Sequence, residues 1–435
     1  MRPAPVLKGS FWTTRLLRIL WLPLLVLTLV PLVPTELGWL SPFDQVVSTL
    51  PDVLYFQHGA LGLIAGHVPY APGFMTAPYH GVTYVYPPLT LLLTLPALLA
   101  GSGYLSAFAM EMLALALAGT FLLGRSSWRR GLRQPLGLAV LVLMLCLGPL
   151  LITRVDAVLG LLVAGSALAL MRGREALAVA MVGLAVLIKE TALLAAVPVI
   201  LFCLFPDKDR SLSLGRRLGS VGYGLLPALL IFAGFAVWSK GGELSSVLAS
   251  VRRGLEIESL PASVAIVLSH FSPIHTYQGH LGSEQFAGSD VGLLALAASF
   301  FGAAVLAVGA LWFAFRRRQP ATAMAFCVAV GLCSTPVLSP QYLLELLPVL
   351  AVAAYLEQPA KQASWLLALG LTAALLTQLE YPYLFDSLIH LQPLGIVLIF
   401  ARNITLLAIA VVLGCSARQD QAPHGLQVQT LFSSG

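Results

Sequence analysis

Charge is scarce in this chain. Asp, Glu, Lys and Arg make up 10% of its 435 residues, against about 25% in soluble globular domains. So few ionic groups cannot clothe a surface that meets water on all sides, which excludes an ordinary soluble globule. Recognisable nucleotide and zinc signatures are missing too. No G-x-x-x-x-G-K-[ST], no G-x-G-x-x-G after a strand and no H-E-x-x-H occurs, so no phosphate-cradling loop or zinc helix is visible. The five cysteines, Cys146, Cys203, Cys327, Cys333 and Cys415, sit within or beside apolar runs. They form neither a metal spacing nor a disulfide framework. The net charge of +6 comes without a basic, aromatic-interleaved patch, so nucleic acid is not an expected partner. No cofactor and no metal is implied.

What remains is hydrocarbon. Apolar residues are 58% of the chain and fall in continuous runs, not in the short alternating segments of a membrane barrel. The expected class is an all-α polytopic membrane protein. Candidate spans begin with Leu17–Leu40 and end with Leu394–Gly414. Several are shorter than the ~20 residues that cross ~30 Å of hydrocarbon, so roughly 10–13 crossings are expected. Residues 1–414 read as one integral membrane domain, and residues 415–435 as a polar, disordered tail.

Orientation follows from the cations. Arg2, Lys8, Arg15 and Arg18 precede the run Ile19–Leu40, the pattern of a signal anchor. Positive flanks stay in the cytoplasm, which puts the polar interval 41–86 outside. Clusters at Arg125–Arg133, Arg172–Arg174, Lys208–Arg217 and Arg316–Arg318 mark cytoplasmic turns. Val85–Leu123 must then cross an odd number of times, although Gly101-Ser102-Gly103 divides it in two. One of its pieces is therefore expected to be re-entrant, unless the cluster at 125–133 breaks the charge rule. Ala176–Phe205 carries charge at both ends and reads as a hairpin with Lys189-Glu190 at its outer tip.

The outer intervals, 41–86 and 240–290, hold the chemistry-bearing residues. Asp52 follows Pro51 at the start of an apolar stretch, which suits the first turn of a helix. With Leu54, Leu61, Leu63 and Ile64 that helix can lie along the membrane surface. Asp52 would then sit at the water–lipid boundary, as a general base for an acceptor hydroxyl or as a simple helix cap. Arg154 and Asp156 occupy a turn between two apolar runs, and Lys189 and Glu190 interrupt a third. Ionisable groups at such positions are costly and often functional. Lys189 suits a lipid phosphate, or else a pairing with Glu190 or Asp156. Arg154 and Asp156 can equally pair with each other. His275 and His280 lie in the second outer loop, where they could fold over a site or stay on the surface. Arg402 and Asn403, ahead of the last apolar run, are a further phosphate contact of the same standing.

Several motifs in order along the chain resemble glycosyltransferase family 87. They are Asp52-x-x-Tyr55, Gly59-Ala60, Gly66, Pro69-Tyr70 and Tyr86-Pro87-Pro88-Leu89 at the start. Arg154-Val155-Asp156-Ala157, Ile188-Lys189-Glu190-Thr191 and Ser339-Pro340-Gln341-Tyr342-Leu343-Leu344 follow. Gln378-Leu379-Glu380-Tyr381-Pro382 and Ala401-Arg402-Asn403 complete the set, which spans roughly Leu40 to Gly414. The family is of GT-C type and is similar to the first mannosyltransferase of GPI assembly. The resemblance implies a bundle of that type in a cell (inner or plasma) membrane. It also implies inverting transfer of a hexose, usually mannose, from a polyprenyl-phosphate sugar to a lipid or glycan acceptor on the extracytoplasmic face. By position, Asp52 would be the base, and Lys189, Arg154 and Arg402 would neutralise the leaving phosphate. Tyr55, Asp156, Glu190, Gln341, Tyr342, His275 and His280 would line the cavity. No Asp-x-Asp pair is present in the first outer interval, where Asp44 and Asp52 are eight residues apart. A transporter or lipid flippase with polar groups at the bilayer midplane, or a catalytically silent partner, are the rival readings. Polar residues gathered in two outer loops favour the enzyme.

Overall fold

The computed structural model describes residues 19, 21–26, 28, 50–128, 136–205, 213–244, 253–269, 271, 274–279, 283–288, 290–317 and 319–416. Asp44, His280, most of Leu17–Leu40 and nearly all of the tail 415–435 lie outside the described residues. The chain is a helical membrane protein. Helix α1 (Leu50–Ile64) comes first, then α2 (Tyr104–Trp128), α3 (Leu136–Leu145), α4 (Asp156–Met171), α5 (Glu175–Val186) and α6 (Leu193–Leu204). After them come α7 (Leu214–Ser239), α8 (Val291–Trp312), α9 (Pro320–Ser334), α10 (Leu343–Glu357), α11 (Ala360–Gln378) and α12 (Pro393–Ser416).

Length sorts these helices into two shells. Among the described residues five helical stretches are long and apolar enough to cross a membrane: Pro96–Arg125, Leu214–Ser239, Val291–Arg316, Ala360–Tyr383 and Pro393–Cys415. They leave large apolar side chains uncovered, among them Phe300, Phe301, Leu230 and Val397. A helix apolar on its outer face needs lipid there. Helices α9 and α10, by contrast, are buried almost throughout. They form the interior with α3, α4, α5 and α6, and each of these is shorter than a full span. Among the described residues five further apolar helices are 10–17 residues long, because they stop at polar breaks.

Those breaks meet. The turn Leu150–Thr153 packs against the turn Pro340–Tyr342. Thr90 donates its hydroxyl to the Ile188 carbonyl at 2.7 Å, and the Leu89 amide bonds to the Leu187 carbonyl at 2.9 Å. Helix ends leave backbone groups without intrahelical partners, so ends gathered in one place make a polar region inside an apolar body. Close approach of α4 and α10 keeps it tight: a Cβ on Gly160 would stand 1.9 Å from the Leu344 carbonyl oxygen. Only glycine fits there.

The crossing conflict of Val85–Leu123 resolves locally. Its first part is a helix of 7 residues, Pro88–Thr94, followed by a 3-10 stretch, Pro96–Gly103. Seven residues rise only about 10 Å, so that piece is too short to cross, and the part long and apolar enough is Pro96–Arg125. Ala176–Phe205 is the expected hairpin, broken at Leu187–Ala192 between α5 and α6. The second polar interval adds an element that the all-α expectation does not include. Strands β1 (Leu255–Glu256), β2 (His275–Gln278) and β3 (Glu284–Ala287) form a small antiparallel sheet in the order β1-β3-β2. Leu255 pairs with Phe286 and Tyr277 with Gln285.

Candidate active site

The first loop builds one wall. Val53, Phe56, Ala60 and Leu63 of α1 are buried, a helical stripe that rests on the loop's own rings. Tyr55 stacks on Tyr84 at 5.3 Å, and Phe56 meets Tyr86 at 5.0 Å and Phe108 at 5.7 Å. Leu63 turns inward with them while Ile64 stays 66% exposed, so the apolar residues of α1 are divided between the interior and the outside. The Tyr55 hydroxyl donates to the Thr83 carbonyl and accepts from the Val85 amide, both at 2.8 Å. Tyr55 thereby fastens the loop to α1. Asp52, in the first turn, is held over the break between α3 and α4, where its carboxylate pairs with Arg154. The Asp52 side chain is 44% exposed and that of Arg154 only 3%. The base candidate is reachable, and its cation is part of the floor.

The floor carries a second pair. Asp156, in the first turn of α4, where the helix dipole favours a carboxylate, binds the Lys189 ammonium at 2.7 Å. Lys189 stands in extended backbone (φ −159°, ψ 137°) just ahead of the Glu190–Ala192 turn. Its ammonium lies 3.9 Å from the centre of the Tyr342 ring, a cation–π contact. Gln341 is buried beside Tyr342 in the turn Pro340–Tyr342, and Glu190 stays half-buried at the hairpin tip. Burial, then the charge of Asp52, pushes the Tyr86 hydroxyl upward, and Arg154, Asp156 and Arg253 act on it as well. Asp52, Arg154, Asp156, Lys189 and Tyr342 thus share one site although 290 positions separate the first from the last.

Arg402 is enclosed by the protein and His275 is exposed, while His280 lies outside the described residues. Arg402 is fully buried in α12. It pairs with Glu380 at 3.4 Å and faces Glu258 at 3.9 Å, and it donates to the Glu258 carbonyl and to Asn403. Asn403 adds hydrogen bonds to the Ser259 carbonyl at 3.2 Å and the Ser263 hydroxyl at 2.8 Å. These are protein partners on every side. His275 stands exposed at the start of β2, because its strand forms the outer edge of the sheet.

Arg253, Glu256 and Glu258 were not singled out in the sequence. Their signal was there, in the alternation Leu255-Glu256-Ile257-Glu258. A period of two sends alternate side chains to opposite faces. Leu255 and Ile257 join an apolar cluster with Phe286, Leu388 and Ile399. Glu256 pairs with Arg253, and Glu258 meets Arg402. Burial pushes both carboxyls above the ordinary range. For Glu256 the Arg253 guanidinium pulls the other way, and for Glu258 the Glu380 carboxylate adds to the rise.

Chemically, the site offers an accessible carboxylate beside cations that lie out of water. The family model of glycosyltransferase family 87 matches residues 84–340, a stretch that includes Arg154, Asp156, Lys189 and the second polar loop. No curated protein matches the chain.

Proposed function

Since the chain belongs to glycosyltransferase family 87, we propose that it moves a hexose, mannose foremost, from a polyprenyl-phosphate sugar to a lipid or glycan acceptor on the extracytoplasmic face. Asp52 is the general base. It takes the proton of the acceptor hydroxyl as that oxygen attacks the anomeric carbon. The bond from the anomeric carbon to the phosphate oxygen breaks, and its electron pair leaves with the polyprenyl phosphate. One new glycosidic bond forms with inversion, and one negative charge develops on the departing phosphate. Lys189 and Arg154 stabilise that charge in a site already taken out of water, where preorganised cations act most strongly.

One observation carries this reading: the half-exposed carboxylate of Asp52 sits against buried Arg154. A lipid-borne donor has support from an apolar groove of about 630 Å³ lined by Leu260, Pro261, Val264, Phe301, Cys333 and Val411. It begins directly after the Glu258-Ser259 segment that Arg402 and Asn403 hold. An isoprenoid chain fits such a surface, because burying apolar area stabilises by about 25 cal/mol per Å².

The test is transfer by purified protein in lipid nanodiscs, offered a panel of radiolabelled polyprenyl-phosphate sugars. With the accepted donor, Asp52→Asn is expected to lower kcat by about 10²–10⁴-fold, the range of a general base, with donor KM nearly unchanged. Undiminished turnover by Asp52→Asn removes that residue from its role, and no transfer from any polyprenyl-phosphate sugar removes the donor class.

A further inference from the structure

We propose that Arg253, on the second outer loop, is the cation that completes the phosphate site with Lys189. The inference rests on the polyprenyl-phosphate reading above and assigns a residue to it. The segment carrying Arg253 is fixed from two sides. The Gly254 amide donates to the Gln285 side-chain oxygen at 3.1 Å, an oxygen that also accepts the Tyr277 hydroxyl at 2.8 Å. The Glu256 amide donates to the Pro336 carbonyl at 2.9 Å, in the stretch that runs on to Gln341 and Tyr342. The segment carrying Arg253 is thus tied to the stretch that leads to Tyr342, whose ring Lys189 meets from the hairpin tip at 3.9 Å. Arg253 is within electrostatic reach of Tyr342, Tyr86 and Glu190, and its partner Glu256 is within reach of Lys189.

Arg253 is also the cation best able to accept an anion. Its side chain is 21% exposed, whereas Arg402 is closed off entirely. Each of Lys189, Arg154 and Arg253 has one carboxylate partner, and Arg154 Nε lacks a hydrogen-bond partner too, so exposure is what sets Arg253 apart. Arg253 pairs with Glu256 through one terminal nitrogen, and its Nε has no hydrogen-bond partner within the protein. Buried donors are nearly always bonded in folded proteins. A guanidinium fork with N–H groups to spare matches phosphate oxygens two at a time. Glu256 is the competitor, and its burial weakens its hold as a carboxylate.

Binding of farnesyl phosphate to the full chain in nanodiscs, with farnesol as the uncharged control, tests the assignment. Arg253→Gln is expected to weaken farnesyl phosphate at least about tenfold, since bonds to charged groups are the strong ones, and to leave farnesol unchanged. Glu256→Gln, which removes the competing carboxylate, is expected to tighten farnesyl phosphate about threefold, a readout that survives if Arg253→Gln does not fold. Wild-type phosphate affinity in Arg253→Gln, equal losses for phosphate and alcohol, or unchanged or weaker binding in Glu256→Gln overturns the role of Arg253 alone. A wild-type protein that binds farnesol as well as farnesyl phosphate overturns this inference together with the polyprenyl-phosphate donor.

Discussion

Around Asp52 the ion pairs are one to one and open on one side: Asp52 with Arg154, Lys189 with Asp156, each cation buried and the first carboxylate reachable. Around Arg402 a single guanidinium meets two carboxylates, a carbonyl and an amide, with no exposed atom. The first group joins separate helix ends across the polar region. The second ties α12 to the loop that carries β1 and to the end of α11. A charge that serves a ligand must keep a free approach, and a charge that serves the fold must not. Residue type alone does not tell the two apart, since both groups rest on arginine and carboxylate. Their closure does.

The largest expected effect tests the closed group. Arg402→Met removes the cation from two buried carboxylates, and breaking a buried pair costs about 3–5 kcal/mol. Its pH dependence follows from Glu258, whose carboxyl burial and the Glu380 charge already push upward, with Arg402 pulling against them. A carboxyl raised in the folded state stabilises the fold below its unfolded value, and that stability is lost as pH rises through the folded one. Without Arg402 the rise is greater and the loss extends to higher pH. The gap in Tm between wild type and Arg402→Met is therefore expected to be wider at pH 8 than at pH 5, read by thermal unfolding in detergent. An equal gap at both values would remove Glu258 from the explanation. Farnesyl phosphate affinity of whatever fraction remains folded should be nearly that of wild type, which separates Arg402 from Arg253.

The open group predicts a smaller and separable effect. Lys189→Met leaves Asp156 unpaired and is expected to cost no more than about 3 kcal/mol, the lower end for a buried pair, together with a loss of donor affinity. Adding Asp156→Asn removes the stranded charge. Stability is then expected to return while donor binding does not, because the cation itself is gone. Recovery of both in the double variant would mean that Lys189 serves only Asp156, and the contrast between the two groups would disappear.

Much of this was legible in the residues. Lys189 in mid-run, Arg154 and Asp156 at a turn, and Asp52 after proline are rare charges in an apolar chain, and the expense of burying them marks them out. The hairpin at Ala176–Phe205 followed from charge at both ends. What stayed hidden depends on contacts distant in sequence. Nothing local to Arg402 reveals that Glu258 and Glu380, 144 and 22 residues away, enclose it. Nothing local to Tyr55 distinguishes a residue lining a cavity from one whose hydroxyl bridges Thr83 and Val85. The sheet was hidden for the same reason: the alternation at 255–258 marks a strand but not its partner, since Leu255 pairs with Phe286.

The smallest effect concerns Tyr55, where the sequence motif suggests the cavity and the structure shows a fastening. Tyr55→Phe keeps the ring stacked on Tyr84 and removes both hydrogen bonds of the hydroxyl. Each is worth about 1 kcal/mol at most in so exposed a loop, so Tm should fall by a few degrees and no further. If the hydroxyl only holds the loop, donor KM stays within about twofold and the small loss is in kcat, because Asp52, one turn earlier in the same helix, is less firmly placed. A tenfold rise in donor KM with unchanged Tm would instead put the Tyr55 hydroxyl on the ligand. The loop wall would then belong to the open group, and the line drawn between binding and fastening residues would have to move to include it.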